Sequence, residues 1–141
     1  MRYGFTGSQK LPTVAQTDWL RNLLLLRAGL HSALHHGACI GSDEAAHFVG
    51  LECGVPIVVH PPKNHAKVAL DVLVPRLGVT ILAAKNYDDR NVDIVNDTDV
   101  LLATPKGPEV RRSGTWSTIR YALSLDRHVE ICFPDGRVEE R

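Results

Sequence analysis

The sequence has no long hydrophobic run. Its densest leucine stretch, Leu23 to Leu26, is flanked by Arg21 and Arg27, far short of the roughly 20 apolar residues a membrane-spanning helix needs. Arg2-Tyr-Gly-Phe-Thr-Gly7 has no basic region followed by an apolar core, so no secretory signal and no membrane partner are expected. Cysteine is scarce: Cys39, Cys53 and Cys132 are odd in number and show no CxxC spacing. That pattern fits a reduced, cytoplasmic setting with the thiols as small core side chains. An excess of charge of one sign is also missing, since 16 basic residues balance 16 acidic ones. A general nucleic-acid binder is usually basic, so nucleic acid is not the expected partner. The dinucleotide fingerprint GxGxxG is absent as well.

What remains is an ordinary globular composition, 44% apolar and 23% charged over 141 residues. It fits one domain, residues 1–141, with a real hydrophobic core. The stretch the chain is organised around is Ser113-Gly-Thr-Trp-Ser-Thr118. It follows an apolar strand candidate, Asp99 to Ala103, and a polar loop, Thr104 to Arg112. It runs directly into a helix candidate, Trp116 to Leu125. The first N–H groups of a helix lack internal partners and carry partial positive charge, so this arrangement holds anions. Gly114 lets a phosphate approach the backbone. Ser113, Thr115 and Ser117 offer hydroxyls, and Arg111 and Arg112 add charge. The plainer alternative is a Ser/Thr helix cap with no ligand. The preceding loop, with its prolines and arginines, suits a clamp or lid.

Strand and helix candidates alternate along the chain. Arg2 to Thr6 reads as a first strand ending in Gly7-Ser8-Gln9-Lys10, a turn at the strand end where α/β folds hold ligands. Thr13 to Leu34 reads as a helix with Pro12 near its start and leucines at helical spacing. On it His31 and His35, four apart, share a face, but no carboxylate or cysteine completes a metal site, so neither metal nor cofactor is expected. A second strand, His36 to Ile40, leads to Gly41-Ser42-Asp43-Glu44 and a helix, Ser42 to Cys53. Asp43 and Glu44 suit a first helical turn. At a strand's carboxyl end they could also bind ribose hydroxyls or act as a general base. Further strands are expected at Ile57 to His60 and Val79 to Ala84, with a helix at Ala66 to Val74 between them. A short helix follows at Tyr87 to Asp97. Arg90 near its start opposes the helix dipole, which a bound anion would explain. The alternative is an exposed arginine paired with Asp88, Asp89 or Asp93. A last strand, His128 to Phe133, ends in the Asp135-Gly136 turn before a charged tail.

This alternation predicts an α/β fold: a mainly parallel sheet of about five to six strands with helices on both faces, in three layers. Three ordered motifs, GFTGSQK, HGACIGSDEAA and DDRNVDIVNDTDVLLATPKGPEVRRSGTWSTIRYA, resemble the SLOG superfamily of Rossmann-like nucleotide-binding proteins. Within it the chain is similar to the DNA-processing protein A core and to molybdenum-cofactor carriers, from Tyr3 to about Ile131. The resemblance implies a nucleotide or nucleotide-derived ligand. Its phosphate would sit at Gly114 and Thr115, beside Trp116. Gly7 and Ser8, together with Gly41 to Asp43, would line the same cleft. Arg90 and Asn91 match an Arg-Asn pair of the carrier-like members. The resemblance also implies a homo-oligomer.

The LOG-type phosphoribohydrolases, which cleave nucleoside monophosphates, are similar too. Their PGGxGTxxE hallmark aligns with RRSGTWST, where Gly114 and Thr115 match. Thr118 stands in place of the glutamate, and a threonine cannot act as a carboxylate base. The sequence therefore implies a carrier, sensor or sequestering protein for a phosphate-bearing small molecule. The alternative is an N-glycosidase that uses Asp43 or Glu44 in catalysis.

Overall fold

The computed structural model describes residues 1–141. Its elements in chain order are β1 (Arg2–Gly7), α1 (Val14–Arg27), β2 (Ala33–His36), α2 (Ser42–Glu52), β3 (Ile57–Val59), β4 (Val79–Ile81), α3 (Tyr87–Asn96), β5 (Val100–Thr104), α4 (Gly114–Ser124), β6 (His128–Cys132) and β7 (Val138–Glu140). Two single 3₁₀ turns, His65–Lys67 and Leu70–Leu73, fill the β3–β4 connection. All seven strands form one sheet in the order β4-β3-β2-β1-β5-β6-β7. Every pairing is parallel except that of β6 with β7. This is the Rossmann-like three-layer α/β architecture that the alternating pattern predicts.

The central strands are buried on both faces, as parallel strands covered by helices must be. All five residues of β5, Val100 to Thr104, are buried. On one face, Leu20, Leu23 and Leu24 of α1 and Ala46 and Val49 of α2 pack on Tyr3, Phe5, Leu34 and Ile57. On the other, Trp116, Ile119 and Ala122 of α4 pack with Val95, Leu101, Ala103, Val129 and Ile131. Each large apolar side chain so buried contributes about 1.5–3 kcal/mol. Thr13 starts α1 with a reciprocal cap: its hydroxyl accepts from Gln16 N–H, and the Gln16 side chain accepts from Thr13 N–H.

Four expected segments differ. α1 ends at Arg27, not Leu34, because Ala28 adopts extended backbone and Ser32 Oγ accepts the Gly29 N–H. Residues 33–36 then enter the sheet beside β1, so the second strand ends where it was expected to begin. His31 lies in an exposed loop and His35 in a strand, which dissolves the expected helical His31–His35 pair. The helix expected over Ala66 to Val74 is two 3₁₀ turns. Its backbone is bonded instead to the loop after β2, through Ile40 N–H to Lys67 O and Ala69 N–H to Ala38 O. The charged tail forms β7, an edge strand whose adjacent Glu139 and Glu140 discourage further pairing.

Candidate functional site

The chain runs outward from β1 through β2 and β3 to β4, then returns through α3 to β5 on the other side of β1. β1 and β5 are thus adjacent strands whose connections leave in opposite directions. Ligands in open α/β sheets bind in the crevice at such a point, beyond the carboxyl ends of the strands. Gly7 and Thr104, the last residues of β1 and β5, pair there. A cleft of about 710 Å³ opens above them, a size suited to a small molecule.

One wall of the cleft comes from α3 and the turn after β2. Arg90 is only 4% exposed. Its guanidinium donates to the carbonyl oxygens of Gly37 and His60 and to Asn91 Oδ1, and lies beside Cys39 Sγ. It also sits 5.1 Å from the centre of the Tyr87 ring. No carboxylate lies within ion-pair distance of it. The arginine is therefore buried with backbone partners and a free charge, neither exposed nor paired with Asp88, Asp89 or Asp93. Asp43, in the first turn of α2, faces the same cleft. Its Oδ2 accepts the Cys39 N–H at 3.1 Å, while Oδ1 is buried without a partner. Burial pushes its carboxyl up to about 6, and the nearby Arg90 charge opposes that rise. The turn that joins them is strained: Ala38, a buried non-glycine residue, has φ 63°.

The other wall is α4 and the loop before it. Ser113 caps α4, its Oγ accepting the Trp116 N–H at 3.3 Å. The N–H groups of Gly114 and Thr115 belong to the first turn and have no intrahelical acceptor. Lys106 and Arg112 bring positive charge to the cleft rim. Arg120 of α4 ties the loop down, donating to Glu109 at 3.0 Å and to the Arg111 carbonyl at 3.1 Å.

The cleft brings together Gly7, Ser8, Asp43, Arg90, Asn91, Arg112, Ser113, Gly114, Thr115, Trp116 and Ser117. Four residues singled out in the sequence do not line it. Gly41, at φ 87°, and Ser42 fasten the first turn of α2 to the loop after β1: Ser42 N–H donates to Ser8 O and Ser42 Oγ to Lys10 O. The Glu44 carboxyl turns to Asp71, whose hydrogen bond raises its pKa. The Arg111 side chain is exposed and only its carbonyl is engaged. Gly37, Cys39 and Tyr87 line the cleft but escaped the sequence reading. A signal existed for Gly37, the glycine that opens the HGACIGSDEAA motif after β2.

A scan against family models and a search of curated proteins give no match. Solved structures do match. The molybdenum cofactor binding protein of the phototrophic bacterium Rippkaea orientalis superposes with a TM-score of 0.68 at 21% identity, over 94% of this chain and 76% of that one. The molybdenum cofactor (Moco) carrier protein of Chlamydomonas reinhardtii superposes with a TM-score of 0.63 at 19% identity, over 92% of this chain and 74% of that one. The chain shares the fold of these proteins. The Rossmann-like architecture implied by the SLOG resemblance is therefore the observed one. No helix is long and apolar enough to cross a membrane.

Proposed function

We propose that this protein binds a phosphate-bearing, nucleotide-derived small molecule and carries it. The observation that supports this reading is one cleft holding both the free N–H groups of α4 and Arg90, a buried cation with no carboxylate partner. Asp43 is near enough to feel the Arg90 charge but makes no ion pair with it, and a bound anion offsets the remaining cost of burying that charge. Gly114 and Thr115 hold the phosphate, Arg90, Lys106 and Arg112 neutralise it, and Ser8 and Asp43 contact the sugar or heterocycle. The solved neighbours bind or carry the molybdenum cofactor, which makes compounds of that kind part of the ligand panel. Transport without reaction fits the fate of Thr118: its hydroxyl donates to the Gly114 carbonyl at 2.8 Å, within α4. It offers the cleft no catalytic carboxylate.

The test incubates the purified chain with nucleoside monophosphates, diphosphates, cyclic nucleotides and released molybdenum cofactor, followed by ultrafiltration and mass spectrometry. Depletion of an unaltered compound is expected. It should be lost in Arg90→Gln and in Thr115→Val, and retention in both variants would overturn the site. A second reading, hydrolysis of an N-glycosidic bond, rests on Asp43 alone, whose carboxyl is placed in the range where a general acid–base works. Free base in the filtrate would establish it. The carrier reading includes a cytoplasmic homo-oligomer, which sedimentation of the purified chain checks.

A further inference from the structure

A second cluster of polar side chains lies outside the cleft lining. His35 on β2 pairs in register with Val58 on β3. Side chains alternate across a sheet, so His60, two residues past Val58, falls on the same face as His35. His60 N–H donates to His36 O at 2.8 Å, which carries the pairing one step beyond the end of β3. The two rings meet as a result: His35 Nδ1 and His60 Nε2 are 2.8 Å apart, with ring centres at 5.1 Å. Both residues are buried, at 6% and 3% exposure. Asp97, which follows α3 directly, adds an exposed carboxylate with no ion-pair partner. One donor atom from each of the three lies within 4.8 Å of the others. His60 and Asp97 also line an opening of about 290 Å³ with Asp93 and two cations, Lys85, which is paired with Asp93, and Arg90.

Two imidazoles and one carboxylate, with an open position, are the donor set of first-row divalent metal ions. The carboxylate supplies the counter-charge that a pair of histidines lacks. Metal–nitrogen bonds of 2.0–2.1 Å in a tetrahedron place two ligand nitrogens about 3.3 Å apart. The observed pair opens by about half an ångström from its hydrogen-bond distance, and its rings turn so that both lone pairs point at the ion. The other cluster of this type, His128, Glu130 and Glu140, differs: Glu130 is already held by Arg27 at 2.6 Å.

We propose that His35, His60 and Asp97 bind one divalent transition-metal ion such as zinc, with its fourth position open to the cavity beside Asp93. The ion ties β2, β3 and the end of α3 together at the back of the wall that carries Arg90. The site shares Arg90 with the cleft wall, since Arg90 donates to the His60 carbonyl, but none of its three ligands lines the cleft.

The purified full chain is titrated with Co²⁺ followed by electronic absorption, and with Zn²⁺ against a chromophoric chelator. One ion per chain with tetrahedral Co²⁺ bands is expected. His60→Gln should abolish the bands, and Asp97→Asn should weaken Zn²⁺ binding by at least about tenfold, since even outer-shell partners are worth 10–100-fold. His128→Gln should leave both unchanged. Absence of saturable one-to-one binding in the parent chain overturns the proposal, as does unchanged affinity in Asp97→Asn. Asp97 is exposed, so that variant folds and decides the matter even if His60→Gln does not.

Discussion

Within one wall of the cleft, Arg90 donates to the Gly37 carbonyl, 53 residues away in sequence. Gly37 is glycine for this contact. A Cβ there would overlap the guanidinium, coming within 2.7 Å of its Cζ. Gly37 does not have a positive φ, and the three atoms nearest to such a Cβ all belong to the Arg90 guanidinium. Gly37→Ala should displace the guanidinium and lower ligand affinity as Arg90→Gln does. Overpacking of this kind costs about 1–3 kcal/mol, which urea unfolding reads. An alanine variant with parental affinity would show that the position of Arg90 is immaterial to binding.

Asp43 makes stability depend on pH in a defined direction. The groups facing its carboxyl are Arg90 and Cys39. Its pKa rises from 3.8 to about 6 on folding, because burial disfavours the charged form more than Arg90 restores it. The native state therefore favours the protonated acid. Its contribution is full below pH 3.8 and is lost as pH rises through about 6. A shift of that size corresponds to about 3 kcal/mol at most. Asp43→Asn should match the parent near pH 3.5 and be more stable at pH 7, by up to that amount. Other carboxylates cancel in the difference between the two proteins. A flat difference across pH 3.5 to 7 would show that the carboxyl is not held as described. A gain in stability with loss of ligand is the usual signature of a functional residue.

How much of this was legible in the sequence follows from what each element depends on. β5 and α2 were read well because local pattern decides them: a run of buried aliphatics, and Ser42 followed by acids. β2 was misplaced because helical leucine spacing continues past Arg27, whereas Leu26 and Leu30 are exposed at 85% and 93%. Partner strands, not periodicity, fix where that strand begins. The segment after Pro62 and strand β7 are likewise set by what they bond to. The same division holds in the site. Gly114, Thr115 and Asp43 are visible as local motifs. The burial of Arg90 without a carboxylate is not, since it depends on α3 folding against the turn after β2. The meeting of His35 with His60 needs the register of β2 on β3, which no local pattern carries.

Three side chains hold the loop over the cleft: Gln16 Nε2 donates to the Pro105 carbonyl at 2.8 Å, Arg141 lies 3.8 Å from Glu109, and Arg120 makes the most contacts. Arg120 bonds Glu109 and the carbonyls of Val110 and Arg111. Arg120→Ala should loosen the Glu109–Arg111 part of the loop without unfolding the domain, because Arg120 is exposed and its ion pair is worth about 0–1 kcal/mol. Limited proteolysis should then cut between Lys106 and Arg112 several-fold faster than in the parent. Equal cutting rates would show that the loop is held by other contacts.

Ser113 allows the helix cap to be separated from the anion site. Its Oγ accepts the Trp116 N–H, and aspartate caps a helix as well as serine does. Ser113→Ala should cost about 1 kcal/mol of stability through loss of the cap, with modest effect on binding. Ser113→Asp should keep full stability, since its charge suits the helix N-terminus. The same charge lies beside Gly114 and Thr115, where it repels a phosphate. A stable Ser113→Asp protein that no longer retains its ligand, alongside a weaker but binding-competent Ser113→Ala protein, is the expected pair. If Ser113→Asp binds a phosphorylated ligand as tightly as the parent, the phosphate does not sit at the start of α4.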